Sequence, residues 1–308
     1  MWKFIFKRVI ALIPVIIGVT LIVFFIMSLS PGDPAKMILG DEASPEAVQL
    51  LRQEMGLDDP LLVQYGRYMY NAIQGDMGLS YKSKKPVTEE IWARFPNTIK
   101  LTLTAITFAV IISLPLGIFA AVKQNSFFDG FSMLLALFGV SMPAFWFGLL
   151  LILFFSLKLG WFPSSGSESL KSIVLPSIAL GFLHMASIAR TTRSSMLEVI
   201  RQDYIRTARS KGLSYGAVIR KHALKNALIP TITVVGLQVG VLLGGAVIVE
   251  TVFAWPGVGR LMVQSIMGRD IPMVMGCIIL FATGFTIVNL IVDLLYGFID
   301  PRIRSMYA

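Results

Sequence analysis

DYIRTARSKGLSYGAVIRKHALKNALIP, residues 203–230, is the longest basic and polar run in a chain that is otherwise mostly apolar, and membrane-length apolar segments flank it on both sides. Leu197, Ile200, Tyr204 and Ala208 recur at helical spacing, while Arg201, Arg206 and Arg209 fall off that stripe. Gly212 supplies the permissive backbone that ends a helix, with Lys211 in the last turn before it. Ser214 is placed to cap a second helix, on which Tyr215, Val218, Ile219 and His222 share a face. A helix–glycine–helix that is basic outside and apolar along one stripe suits docking against another surface.

The flanks define the class. Hydrophobic residues are 55% of the 308, charged residues 15%, and the mean hydropathy is +0.74, values that belong to a membrane protein. Six segments lack Asp, Glu, Lys and Arg and have about the length needed to cross roughly 30 Å of hydrocarbon. They are Val9–Gly32, Leu101–Val122, Gly130–Leu157, Ser172–Ala189, Asn226–Val249 and Ile271–Val292. The expected fold is an all-α polytopic membrane protein with six transmembrane helices. Lys and Arg in short loops stay cytoplasmic. With both termini cytoplasmic, fifteen of the 27 basic residues lie inside against four acids, and the remaining twelve lie outside against thirteen acids. The organisation that follows is residues 1–30 as an interfacial segment and first crossing, 31–98 as an extracytoplasmic helical lid, and 99–308 as the core. That core carries an inner loop at 190–226 and an outer loop at 250–270. No soluble segment is long enough for an independent enzyme core.

Local signals fill in the segments. MWKFIFKR, residues 1–8, suits a short helix at the inner membrane surface. In the lid, Ser44-Pro45-Glu46 starts a helix that Gly56 ends, and Asp59-Pro60 starts another running to about Gly75 with Leu62, Tyr65, Met69 and Ile73 on one face. Thr88–Arg94 reads as a third short helix, and Asn97-Thr98 as the cap of the second crossing. The third crossing is interrupted at Ser141-Met142-Pro143, a break tolerated where it faces protein or a water-filled path. In the fifth, Gly236, Gly240 and Gly244 recur every four residues, a face on which another helix approaches closely. Glu250 ends that crossing at the outer surface. The turn Trp255-Pro256-Gly257-Val258-Gly259 and the segment Leu261–Met267 read as a surface or re-entrant helix, with Arg269 and Asp270 as a pair at its end. The sixth crossing holds Asn289 and the acid Asp293. Together with Ser141 and Pro143 these are the pathway candidates.

Several chemistries have no residues to carry them. There is no phosphate loop of the form G-x-x-x-x-G-K-[ST], so ATP has no cradle in this chain. The two histidines, His184 in a crossing and His222 on the inner loop, lie on different segments, and Cys277 is the single cysteine, so neither a metal cluster nor a disulfide is expected. The net charge of +9 follows membrane topology, since the cations are spread over inner loops without interleaved aromatics; no nucleic acid partner is expected. A self-sufficient, ion-coupled secondary transporter is the alternative from another class, but it needs several membrane acids or an inverted repeat, and the crossings offer Asp293 alone.

The inner loop resembles that of the membrane subunits of ATP-binding-cassette importers, which reads E-A-A, three residues, G, nine residues, I-x-L-P. Gly212 fits, Arg206, Thr207 and Ala208 stand at the E-A-A positions, and Leu224 at the L; the chain departs at Arg206, His222 and Lys225. These departures resemble the peptide/nickel permease branch, dipeptide/oligopeptide permease B-like, as do ETVFAWPGVGRLMVQSIMGRD, residues 250–270, and SPGDP, residues 30–34. The resemblance implies a type I importer permease fold and a bacterial cytoplasmic (inner) membrane location. It implies a second homologous permease subunit, two ATP-binding subunits that hold ATP and Mg, and an extracytoplasmic solute-binding protein; this chain itself holds no cofactor. On this reading Arg206, Thr207, Ala208, Gly212, Leu213, Ser214, Val218 and His222 couple to the ATPase. Glu250, Trp255, Pro256, Gly257, Gly259, Arg260, Arg269 and Asp270 form the outer docking loop. The implied cargo is di- or oligopeptides, with glutathione or a nickel chelate as alternatives.

Overall fold

The computed structural model describes residues 2–29, 32–40 and 42–299, and among these the regular structure is helical, with an isolated β-bridge between Leu79 and Pro86. Ser30 and Pro31 of the SPGDP motif, and the stretch with Asp300, Arg302 and Arg304 counted above, lie outside the described residues. Five helices are long and apolar enough to cross a membrane, with spans Ile10–Leu29, Val87–Val122, Leu170–Ile200, Tyr215–Gly244 and Ile271–Leu294. The remaining apolar run is broken. Met142 and Pro143 take extended backbone because a proline excludes the helical conformation from the residue before it, so α6 (Phe127–Ser141) stops and α7 (Ala144–Leu151) restarts, passing into a π-helical turn at Ile152–Lys158.

The chain divides into two compact units. The first holds residues 2–98 and 256–284 and begins with α1 (Trp2–Leu29) and the lid helices α2 (Pro34–Leu39), α3 (Pro45–Met55) and α4 (Leu61–Ile73). Ser44 accepts from the Ala47 amide and Pro45 occupies the first helical position, while Gly56, at φ 64°, supplies the left-handed residue that closes α3. Arg52 ties the lid together by reaching both Asp33 (2.9 Å) and Asp58 (2.6 Å). Burial pushes the Asp33 carboxyl up, but the hydrogen bond and charge of Arg52 outweigh it and hold it below the ordinary carboxylate range. The α4 face expected from sequence is split: Tyr65 and Met69 turn inward with Phe24 and Met275, whereas Leu62 and Ile73 stay exposed.

The expected short helix over 88–94 and the expected cap at Asn97-Thr98 are both absent, because one helix, α5, runs unbroken from Val87 to Val122. The two polar side chains have other work. Asn97 donates its amide to the Pro256 carbonyl (3.1 Å), and Thr98 accepts from the Val258 amide (2.9 Å) at the start of α12 (Val258–Met267). A cluster of Val87, Ile91, Val258, Leu261, Met273 and Cys277 forms the core of this unit; Met273 and Cys277 come from α13 (Ile271–Ile299).

The second unit holds residues 99–255 and 285 onward. Its centre is α8 (Val174–Ile200) packed on α11 (Leu224–Val252), with Leu175, Leu180, Ile188, Leu242 and Val249 fully or almost fully buried. The fourth apolar segment, shortest in the sequence, is thus part of the most buried of the long helices, and α8 extends eleven residues beyond Ala189 because Thr192, Ser195 and Met196 continue the buried stripe. Small residues set the spacing. A Cβ on Gly181 would stand 2.5 Å from the Ala105 carbonyl oxygen, and one on Gly117 2.7 Å from that of Ala189. Backbone cannot yield as a side-chain tip can, so Gly181→Ala is expected to destabilise this unit by about 1–3 kcal/mol, read as a lower thermal unfolding midpoint in detergent. The regular glycines are used unevenly: Gly236 lies against Val292 and Gly240 against Phe285 of α13, within the same chain, while nothing approaches Gly244 within 4 Å.

Candidate functional site

The inner loop is assembled from α9 (Asp203–Ser210), the bend at Gly212, a single helical turn α10 (Tyr215–Ala217) and a π-helical turn at Val218–Ala223 that leads into α11 without a break. α8 ends at Ile200, so the stripe drawn through Tyr204 is interrupted; within α9 the buried residues are Ile205 and Ala208, and Tyr204 is exposed and accepts from the Asn226 amide (2.8 Å). Gly212 has φ 81° with open space around it, so the bend is set by backbone conformation and not by crowding. Its amide donates to the Arg209 carbonyl (2.9 Å), and the Val218 amide donates to the backbone carbonyl of Ser214 (3.0 Å); the Ser214 hydroxyl makes no cap. The Arg209 guanidinium lies 5.0 Å from the centre of the Tyr215 ring, which closes the bend with side chains as well.

Burial sorts the expected coupling residues into two groups. Arg206, Thr207, Gly212, Leu213 and Ser214 are exposed. Val218 is fully buried and Ala208 nearly so, in a cluster with Ala121, Met196, Ile205, Ile219, Ala223 and Ala227. The expectation that Val218 and Ala208 present themselves to a partner is therefore corrected: they hold the loop to its own helices, and His222 is half-buried beside them. Sequence periodicity located the stripe but not which side of it faces the core.

The same unit holds an ion pair that periodicity does not reveal. Asp129, in the first turn of α6, accepts from Arg193 of α8 through two bonds, 2.6 Å from Nε and 2.7 Å from Nη2, and from the Asn125 amide (3.0 Å). The Arg193 guanidinium, helped by that amide, holds the Asp129 carboxyl below the ordinary range against the opposing effect of burial. Both residues fall on the cytoplasmic side of the sequence topology, but they are 64 positions apart and no local pattern joins them. In the same unit, His184 Nδ1 and Gln238 Oε1 meet at 2.6 Å between α8 and α11. Asn289 is half-buried on α13 and its Oδ1 has no hydrogen-bond partner among the described residues. Asp293 is half-buried, and Ser141 and Pro143 are exposed at the α6–α7 break.

The outer-loop residues fall in different units. Glu250 and Trp255 belong to the second, where Glu250 is fully buried in α11 and its carbonyl accepts from the Trp255 amide (2.8 Å). The expectation that Glu250 ends the crossing is corrected: α11 continues through it to Val252, and its side chain is fully buried. Pro256 to Asp270 belong to the first unit. There Gly257 immediately precedes α12, Gly259 is buried, Arg260 is half-buried, and Asp270 is buried. The expected Arg269–Asp270 pair does not form among the described residues. Asp270 instead accepts from the Ser80 hydroxyl and the Tyr81 amide (3.1 Å), pinning the hairpin around the Leu79–Pro86 bridge, while Arg269 lies against Gly32. Burial, with the nearby charge of Asp270, pushes the Tyr81 phenol up to about 12. Asp270→Ala removes the acceptor of the Ser80 hydroxyl and of the Tyr81 and Met273 amides and is expected to cost about 1–3 kcal/mol, seen as faster hydrogen exchange at residues 79–86.

The chain matches two family profiles over nearly its whole length: binding-protein-dependent transport system inner membrane component over residues 113–305, and the N-terminal portion of such components over residues 1–102. The chain belongs to this family. It is a multi-pass protein of the cytoplasmic membrane. Among its relatives, the dipeptide transport system permease protein DppB of Alkalihalophilus pseudofirmus is 49% identical, with 97% of this chain and 98% of the relative covered. The glutathione transport system permease protein GsiC of Escherichia coli K12 is 47% identical, with 99% of each covered. Among solved structures, an inward-facing form of the MetNI methionine ABC transporter superposes with a TM-score of 0.58 at 18% identity, covering 70% of this chain and 96% of that one. An amino acid ABC transporter with histidines gives 0.51 at 20% identity, covering 70% and 94%. These two show that the inner membrane component shares their fold.

Proposed function

We propose that this chain is a membrane-spanning permease subunit of an ATP-driven importer, carrying di- or oligopeptides into the cytoplasm and doing no ATP chemistry itself. The observation that carries the reading is full-length similarity to a dipeptide permease, combined with an exposed, basic inner loop whose bend is fixed at Gly212. On this reading the path crosses the membrane six times, the α6–α7 region making the third crossing, with both termini in the cytoplasm. The loop face around Arg206, Thr207, Leu213 and Ser214 seats in a groove on one of two ATP-binding subunits, which hold ATP and Mg. Closure of those subunits favours one of two permease states by differential binding, which is how ATP energy enters the membrane helices. A second permease subunit completes the path, and an extracytoplasmic solute-binding protein delivers cargo to the outer elements.

Glutathione is the second reading for cargo, favoured by the 47% identity to a glutathione permease over nearly the full length. Both are small peptides, so one path wide enough for either serves, and selection falls to the binding protein. The test is a pull-down of the tagged chain in mild detergent with every co-purifying subunit identified. Two ATPases, a second permease and a binding protein are expected, and the ligand on the binding protein names the cargo. Recovery of this chain alone, still transporting in vesicles without ATP, would overturn the reading in favour of a secondary transporter.

A further inference from the structure

Helix α4, LLVQYGRYMYNAI, is apolar over most of its circumference. Its inward arc is Leu61, Tyr65, Tyr68 and Met69, packed with Leu21 and Phe24 of α1 and with Ile271 and Met275 of α13. Next to that arc at helical spacing come Leu62 (65% exposed), Val63 (49%), Tyr70 (68%) and Ile73 (82%), with Gly66 among them. Polar residues occupy a narrow remaining strip of Gln64, Arg67 and Asn71. Gln64 is spent on the Leu57 and Asp59 carbonyls and Arg67 on the Asp59 carboxylate. An exposed arc of this kind, without a charge, is out of place in water.

The position of the helix says what covers the arc. The Tyr65 hydroxyl shares a hydrogen bond with Thr20 (2.9 Å) and donates to the Ile17 carbonyl (3.1 Å), and both residues lie inside Ile10–Leu29, a span apolar enough to cross the membrane. Thr20 stands nine residues, about 13 Å at 1.5 Å per residue, before the end of α1 at Leu29. The inward arc is therefore buttoned to α1 within its membrane-length span, and that span itself leaves Ile22, Ile26 and Leu29 exposed. The wide apolar arc, narrow polar strip and tyrosines suit a helix lying in the bilayer interface, with polar residues toward headgroups and apolar ones in the acyl region. We infer that α4 is a membrane-embedded interfacial helix and that the partner of the Leu62–Val63–Tyr70–Ile73 face is lipid. The orientation proposed above makes this the outer leaflet. The lid is then anchored in the membrane along α4, and α3 with the Arg52 ion pairs stands above it.

The test places single cysteines at Leu62→Cys, Tyr70→Cys, Ile73→Cys and Asn71→Cys in the full chain, purified with whatever subunits accompany it. Cys277, the chain's one cysteine, is fully buried, so the unsubstituted chain is the labelling blank. Each variant carries an environment-sensitive fluorophore in liposomes of phosphatidylcholine brominated on the acyl chain. Quenching by the brominated lipid is expected to be at least about threefold stronger at positions 62, 70 and 73 than at 71, with aqueous iodide showing the reverse order. Iodide quenching at all four positions would overturn the inference, because the face would then stand in water. Protection from both quenchers at 62, 70 and 73 would also overturn it, by showing a protein covering the face. Neither readout uses transport, so this result is independent of whether the importer reading holds.

Discussion

Gly212→Val is expected to abolish ATP-driven uptake, by at least tenfold, while leaving the amount of chain in the membrane unchanged. The residue adopts φ 81°, and nothing lies within 4 Å of the position a Cβ would take. A valine is therefore not excluded by collision; it is excluded by its own backbone, since a β-branched residue in the left-handed region costs on the order of 1–2 kcal/mol or more. The bend relaxes, and the exposed face around Arg206, Leu213 and Ser214 loses its shape, whereas the buried anchors Ile205, Ala208, Val218 and Ile219 remain seated. Gly212→Asn is the informative companion, because asparagine tolerates this conformation. It should keep most of the uptake. Measuring uptake in vesicles alongside membrane abundance separates coupling from folding, and normal uptake in Gly212→Val would remove the role assigned to the bend.

The second large effect is expected at the Asp129–Arg193 pair. Asp129→Asn keeps the size of the side chain and removes the charge that faces Arg193 over 2.6 and 2.7 Å bonds. Asp129 is buried, and Arg193 retains 23% of its side-chain exposure. The loss should thus be about 2–3 kcal/mol, below the roughly 3–5 kcal/mol seen when a fully buried pair is broken. The pH dependence has a definite sign. The Asp129 carboxyl is depressed in the folded chain, so its contribution is complete above the ordinary carboxylate pKa of about 4 and is lost as pH falls through the depressed folded value. Thermal unfolding midpoints of parent and variant should be well separated at neutral pH and converge below about pH 4. A gap that stays constant as pH falls further below about 4 would assign the effect to packing instead of charge.

How far the sequence carries depends on whether a feature is local. The apolar runs, the lid helix starts at Ser44-Pro45 and Asp59-Pro60, the stop at Gly56 and the proline break at Met142-Pro143 all depend on neighbours in sequence, and each was legible. Features that depend on distant partners were not. Asn97 and Thr98 look like a helix cap, yet α5 runs through them because residues some 160 positions away use their hydrogen-bonding groups. Asp270 looks paired with its neighbour Arg269 and is instead satisfied by Ser80 and Tyr81, across about 190 positions. Periodicity also gives a stripe without a direction. It grouped Leu62 and Ile73 with Tyr65 and Met69, and it offered Val218 as a contact when the π-helical turn at Val218–Ala223 carries it into the core. At the inner loop, recognition of the segment came from its basic residues and glycine, which are local; the division into exposed contact and buried anchor needed the three-dimensional structure.

The Arg209–Tyr215 stack across the bend has a thermodynamic consequence. The loop is held in shape from both sides, by the left-handed backbone at Gly212 and by a guanidinium 5.0 Å from an aromatic ring, with four apolar anchors beneath. A flexible loop would lose conformational freedom on every docking event, and that loss would be charged against each cycle. On the proposed docking reading the ordering is complete before contact, so the binding free energy of the loop would go into discriminating between two arrangements of the helices behind it. On that reading, rigidity at this one bend would let a surface contact act as a transmission.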